Sequence, residues 1–250
     1  MGVMAPIATS NRRDLPESDG PLPGNDVYTL RDVIRIYREA DVETIALRGV
    51  DLAVAPGEFV ALMGRSGSGK STLLNIMAGS DRPTAGQVLF RGRDLATIGD
   101  DERARLRGSE IGIVYQSQNL APMLSLIENV RLSAWLAGRP LDSSAAGDQL
   151  ARVGLGERAA HRPEQLSGGE QQRGALACVV AARPAVLLAD EITGELDSRN
   201  ADVLLRLLRD CHAAIGTTVV LVTHDPAVAS TADRIVELRD GRVATDRRLT

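Results

Sequence analysis

Apolar and polar positions change period several times along this chain, and each change predicts a different kind of element. Residues 27–30, 33–37, 45–47, 50–54 and 87–91 alternate or run apolar in short segments, separated by turn signals such as Pro56-Gly57 and Ala85-Gly86. Segments of this kind predict an antiparallel β portion. It flanks a nearly continuous apolar run at 58–63 and a helix-like stretch at 72–77. Four later apolar runs, 111–115, 185–189, 218–223 and 235–238, do not alternate, and helical stretches lie between them. Strands that are apolar on both faces need cover on both faces, so these runs predict the buried parallel sheet of an α/β fold. From residue 100 to about 165 the pattern turns mostly helical and polar, which predicts an inserted helical subdomain. Residues 1–25 carry four prolines among Ser, Asn, Asp and Gly, with too little apolar content to pack. They predict a disordered tail ahead of one domain over 26–250.

Between the apolar run at 58–63 and the helix after it, residues 64–71 read Gly-Arg-Ser-Gly-Ser-Gly-Lys-Ser. This has the form of a phosphate-binding P-loop. Gly64, Gly67 and Gly69 can take backbone angles closed to other residues and leave successive N–H groups free to point at phosphate oxygens. The loop opens a helix, whose N-terminus favours anions. Lys70 would reach the β- and γ-phosphates, and the Ser71 hydroxyl would complete a Mg2+ shell of hard oxygens. Lys70 is also the only lysine of the chain, the other 28 of the 29 basic residues being arginine. A guanidinium fork cannot replace a compact ammonium in a tight phosphate cradle, so the exception falls where the two cations are least interchangeable.

Composition narrows the picture. A chain of 250 residues can bury a full α/β core. A formal charge of -4 and only six aromatic residues argue against a nucleic-acid surface built on basic patches and stacking. Cys178 and Cys211 lack C-x-x-C spacing, so neither a disulfide framework nor a zinc site is indicated. The longest apolar candidate, 176–189, is broken by Arg183-Pro184 and is too short to cross a bilayer. No direct membrane insertion is expected, and any membrane association would run through a partner.

The apolar run at 185–189 ends in Asp190-Glu191. In open α/β sheets, ligands bind at the C-terminal edge of the strands. There Asp190 would hold Mg2+ through its water shell, and Glu191 would act as general base or orient water against the γ-phosphate. Alone, two acids after a strand also suit a helix cap; the P-loop tips the reading toward chemistry. Residues 166–173, Leu-Ser-Gly-Gly-Glu-Gln-Gln-Arg, place Ser167, Gly168 and Gly169 before a helix running to about residue 182. A hydroxyl and free N–H groups at a helix start make a second phosphate-ready site, which one chain does not need for one nucleotide. Either Ser167 is a plain N-cap, or two copies join with this helix start facing the γ-phosphate held in the partner's P-loop.

In this order and spacing, residues 64–71, Gln116, 166–173, Asp190-Glu191 and His224 resemble the nucleotide-binding domain of ABC transporters, over about residues 27–243. Finer matches at residues 80–83, 127–130 and 189–194 resemble its lipoprotein-releasing and macrolide-exporter subfamily, which also includes cell-division ATPases. The resemblance implies the ABC ATPase fold, a P-loop NTPase core with a parallel sheet, an antiparallel β subdomain and the inserted helical subdomain. It implies ATP and Mg2+, with Arg65, Ser66, Ser68 and Thr72 joining the glycines, Lys70 and Ser71 around the nucleotide. By the same resemblance Gln116 links Mg2+ and the attacking water to the surface that receives a membrane subunit. His224 contacts the γ-phosphate and positions Glu191, Tyr37 stacks on adenine, and Asp197 communicates between the two sites of a dimer. The implied protein is an ATP-hydrolysing subunit at the cytoplasmic face of the membrane, peripheral, paired with itself or a related ATPase through residues 166–173. It would energise a separate permease, with export as the direction. A signalling module that gates a cell-envelope partner without moving a substrate would carry the same motifs. Three positions depart from the family pattern: Ile192 where proline is usual, Glu195 where a small residue is, and Cys178 where arginine is. Each catalytic group remains present.

Overall fold

The apolar strands separate into two sheets according to how many faces they bury. The computed structural model describes residues 26–39, 42–117 and 119–249, so the tail expected over 1–25 lies outside the described residues. In chain order the strands are β1 (Tyr28–Glu39), β2 (Val42–Val54), β3 (Phe59–Met63), β4 (Ala85–Phe90), β5 (Arg93–Asp94), β6 (Ile111–Val114), β7 (Val186–Asp190), β8 (Thr218–Thr223), β9 (Arg234–Arg239) and β10 (Arg242–Arg248). The helices are α1 (Lys70–Met77), α2 (Asp100–Ser109), α3 (Leu126–Leu136), α4 (Ser143–Arg152), α5 (Gly168–Ala182), α6 (Ser198–Ile215) and α7 (Pro226–Ala229). One sheet is antiparallel in the order β2-β1-β4-β5; the other has the order β10-β9-β3-β8-β7-β6. In the latter all neighbours are parallel except β10, which turns back on β9.

The parallel strands bury both faces. Val60, Leu62, Val186 and Leu188 enter a core shared with α1 and the antiparallel sheet, while Phe59, Ala61, Leu187 and Ala189 enter a second core with α5 and α6. That is why these strands read as unbroken apolar runs. Leu73, Leu74, Ile76 and Met77 of α1 belong to the first core, so the helix after the P-loop is clamped between the sheets. Tyr28, wholly buried, donates its hydroxyl to the Met77 carbonyl at 2.7 Å and lies 5.2 Å from the Phe90 ring centroid. It ties the end of α1 to the antiparallel sheet. A third core joins α3 and α4 to α5 through Leu126, Val130, Leu150 and Ala177.

β1 and β10 differ from the sequence pattern for physical reasons. Residues 27–30 and 33–37 form one strand, β1, whose alternation is broken by bulges around Val33. Within the mostly helical range 100–165 stands the strand expected at 111–115. That strand is β6, which pairs with β7 at the edge of the parallel sheet, leaving α3 and α4 as the helices that pack on α5. β10 is a polar, exposed edge strand, so no apolar pattern marks it. No helix among the described residues is long and apolar enough to cross a membrane. Tyr28→Phe strips the Met77 carbonyl of its buried donor and is expected to lower unfolding stability by about 1–2 kcal/mol in urea titration, with the slope unchanged.

Candidate active site

Strand register gathers the site. Met63 pairs with Thr223, Asp190 with Val222, and Ala189 with Val114, so β3, β8, β7 and β6 all end at one edge. The P-loop, Glu191 and His224 follow those strands and meet there, and Gln116 follows β6 at the same edge.

Space dictates two glycines of the loop. A Cβ on Gly69, whose φ is 102°, would lie 2.6 Å from the Ala46 carbonyl oxygen, and one on Gly64 would lie 2.5 Å from the Leu238 carbonyl oxygen. The β9–β10 turn braces the loop from behind, the Gly241 N–H donating to the Ser68 carbonyl at 3.1 Å. Lys70 is 5% exposed and donates to the carbonyls of Gly64 at 2.9 Å and Arg65 at 3.0 Å; its Nζ lies 3.7 Å from Glu191 Oε1. A buried ammonium is costly without such partners. The Ser68 hydroxyl is buried with no partner among the described residues. An unspent donor inside a glycine-rich loop fits a phosphate.

Ser71 Oγ donates to Asp190 Oδ1 at 3.4 Å. Burial raises the Asp190 pKa above its ordinary value, opposed by the Ser71 hydrogen bond and by Lys70 and assisted by the Glu191 charge. A hydroxyl beside a half-buried carboxylate is a hard-oxygen donor set that fits Mg2+. Among the described residues no group of three or more His, Cys, Asp or Glu could hold a metal ion by itself.

Glu191 has φ 46°, a left-handed conformation for a non-glycine residue. Its N–H donates to the Val222 carbonyl at 3.0 Å and its carbonyl accepts from the Gly194 N–H at 2.9 Å. Such strain persists only where surroundings enforce it. The carboxylate is shared out, Oε1 toward Lys70 and Oε2 at 3.3 Å from His224 Nδ1. Ile192 is 2% exposed within the second core, so apolar packing anchors the residue after Glu191 where a proline would have restrained it by its ring.

The other expected site residues lie farther out. The Gln116 amide donates to Glu195 Oε1 at 3.2 Å, while the Gln116 carbonyl accepts from Gln172 of α5. The polar contacts of Tyr37 lead away from the loop, its hydroxyl donating to Asp81 Oδ2 at 2.8 Å and its ring lying 4.4 Å from the Arg35 guanidinium. Ser167 and Gly168 are exposed at the start of α5, and Asp197 caps α6 by accepting from the Asn200 N–H at 2.9 Å. Sequence reasoning missed Asn200 and gave Gln172 no role. Asn200 donates to Asp197 Oδ2 at 2.7 Å and accepts from Arg173 at 3.3 Å, and a Cβ on Gly169 would lie 3.1 Å from it. It joins the starts of α5 and α6 through contacts that no local pattern announces.

Known proteins share this arrangement. The family described as ABC transporter matches residues 47–194. The chain is 46% identical over 220 residues to the macrolide export ATP-binding/permease protein MacB of Syntrophobacter fumaroxidans, covering 86% of this chain and 31% of that protein. It therefore spans about a third of the length of the MacB relatives it matches. It is 49% identical over 220 residues to the lipoprotein-releasing system ATP-binding protein LolD of Anaeromyxobacter dehalogenans, covering 87% of this chain and 92% of that one. Among solved structures, the dimeric ATP-binding cassette MJ0796, in a post-hydrolysis state bound to ADP and Pi, has a TM-score of 0.83 at 39% identity, covering 89% of this chain and 99% of that one. The cbiO1 protein of Clostridium perfringens, part of the ABC transporter complex cbiONQ, has a TM-score of 0.77 at 27% identity over 90% of this chain and 89% of that one. With the family match spanning more than half of its length and the P-loop, Asp190, Glu191 and His224 at one sheet edge, the chain belongs to the ABC transporter family, as an ATP-binding cassette, the family's ATPase unit.

Proposed function

We propose that two such cassettes, identical or closely related, hydrolyse ATP head to tail and so drive a membrane permease. The convergence of Lys70, Ser71, Asp190, Glu191 and His224 at one edge carries this reading. ATP would lie along the loop with its phosphates on the backbone N–H groups of residues 64–72 and on Lys70. Ser71, Asp190 and Gln116 would hold Mg2+, which would supply positive charge to offset that of the phosphates. Glu191 would orient and deprotonate the attacking water, with His224 steadying its second oxygen. Tyr37 would leave Asp81 to stack on adenine.

Ser167, Gly168 and Gly169 would meet the γ-phosphate bound by the other copy, with Asp197 between the two sites. The exposure of Ser167 and Gly168 and the dimeric state of the solved cassette support this. A groove of about 350 Å³ between α2–β6 and α3–α5 is lined in part by Ile113, Leu132, Leu136 and Cys178, and Trp135 of α3 is 63% exposed. Burial pushes the Cys178 thiol up to about 12, so it serves as an apolar wall there. Such a groove suits a helix from the cytoplasmic side of a permease, which would hold this chain peripherally at the membrane. The LolD relative, named an ATP-binding protein, supports a permease on a separate chain, whereas the MacB names join both parts. Those names support export of the lipoprotein-releasing or macrolide type.

Glu191→Gln is expected to bind ATP, lose turnover by about a hundredfold or more, and accumulate a dimer in light scattering; full turnover would refute its assigned role. Lys70→Arg keeps the charge yet is expected to weaken binding of a fluorescent ATP analogue by about tenfold or more, because a guanidinium does not fit the carbonyl cage. Tagged Glu191→Gln protein purified from detergent-solubilised membranes with ATP is expected to carry a multi-span permease. Adding Trp135→Glu should release the permease without loss of ATP binding. Recovery of soluble partners alone would remove the transport reading.

A further inference from the structure

The carboxylate of Glu170 sits in the first turn of α5, directly behind the Ser167 side chain. Its Oε2 accepts from the Ser167 N–H at 2.8 Å and the Ser167 hydroxyl at 3.0 Å, and these bonds, with Arg158, hold its pKa below the ordinary carboxylate value. In the dimer proposed above, the same hydroxyl turns to the γ-phosphate of the other copy. An anion would then stand directly behind the serine that receives an anion.

Arg158 answers this charge. Its Nε lies 3.3 Å from Glu170 Oε1, the oxygen that Ser167 does not use. Its NH1 lies 3.4 Å from His161 Nε2. The segment is pinned as well. The carbonyls of His161 and Ala159 accept from the N–H groups of Leu126 and Ile127 at 2.9 and 3.0 Å, at the start of α3. Arg158 is therefore held against Glu170 from a segment 12 residues away, outside the motif at 166–173.

We propose that Arg158 is a positioning residue for ATP-driven dimerisation: it neutralises Glu170, so that the Ser167 hydroxyl can move from that carboxylate to the partner's γ-phosphate without leaving a bare anion behind it. This rests on the dimer reading. The test measures the dimer dissociation constant with ATP and Mg2+ by analytical ultracentrifugation in Glu191→Gln protein, alongside ATP affinity of the monomer. Because the pair is partly exposed, Arg158→Ala is expected to weaken the dimer by about fivefold per site, hence about twenty-five-fold for two sites, with monomer ATP affinity unchanged. Glu170→Gln keeps an acceptor for the Ser167 cap and removes the charge. Added to Arg158→Ala, it is expected to restore the dimer constant, whereas a merely structural role for Arg158 would not be rescued. Absence of a defect in Arg158→Ala, or a defect that survives Glu170→Gln, overturns the proposal. A Glu191→Gln protein that stays monomeric with ATP overturns the dimer reading, and this inference with it.

Discussion

A buried ammonium sets the terms for the rest of this molecule. Lys70, at 5% exposure, would be prohibitive without compensation, and it is held by two carbonyls of its own loop and the nearby carboxylate of Glu191. The carbonyls converge only because the loop passes close to Ala46 and Leu238, where no side chain but glycine's fits. Those two neighbours come from β2 and β9, one from each sheet. The cage therefore requires both sheets, and α1 clamped between them keeps the loop in register with its supports.

The same parallel strands that support the loop bring the acids to it. Asp190 and Glu191 end a strand buried on both faces, and the left-handed backbone at Glu191 bends the chain so that its carboxylate lies between an ammonium and an imidazole. The core around Ile192 holds this strained turn. Packing here replaces the restraint that a proline ring would supply.

Around this rigid centre the polar contacts are of another kind. Gln116 to Glu195, Gln172 to the Tyr115 carbonyl, and Arg173 through Asn200 to Asp197 join the end of β6, the start of α5 and the start of α6. Each is partly or fully exposed, worth about 0.5–1.5 kcal/mol at most. Bonds of that size exchange partners readily when a nucleotide or another subunit offers better ones, so these residues suit a cycling protein more than a static one.

Residues 64–71 and 166–173 were legible without coordinates because their chemistry resides in consecutive backbone groups and one or two adjacent side chains. The parallel strands were legible for a similar reason, since two-sided burial leaves unbroken apolar runs. β10 and the bulges of β1 were not, because a polar edge and an extra residue leave no periodic trace. Glu195 holds a glutamine 79 residues away, Arg158 a glutamate on another element, and Asn200 an arginine 27 residues before it. Hydrophobic period and backbone chemistry are local quantities written along the chain; which distant side chains meet depends on strand order and on how the cores pack.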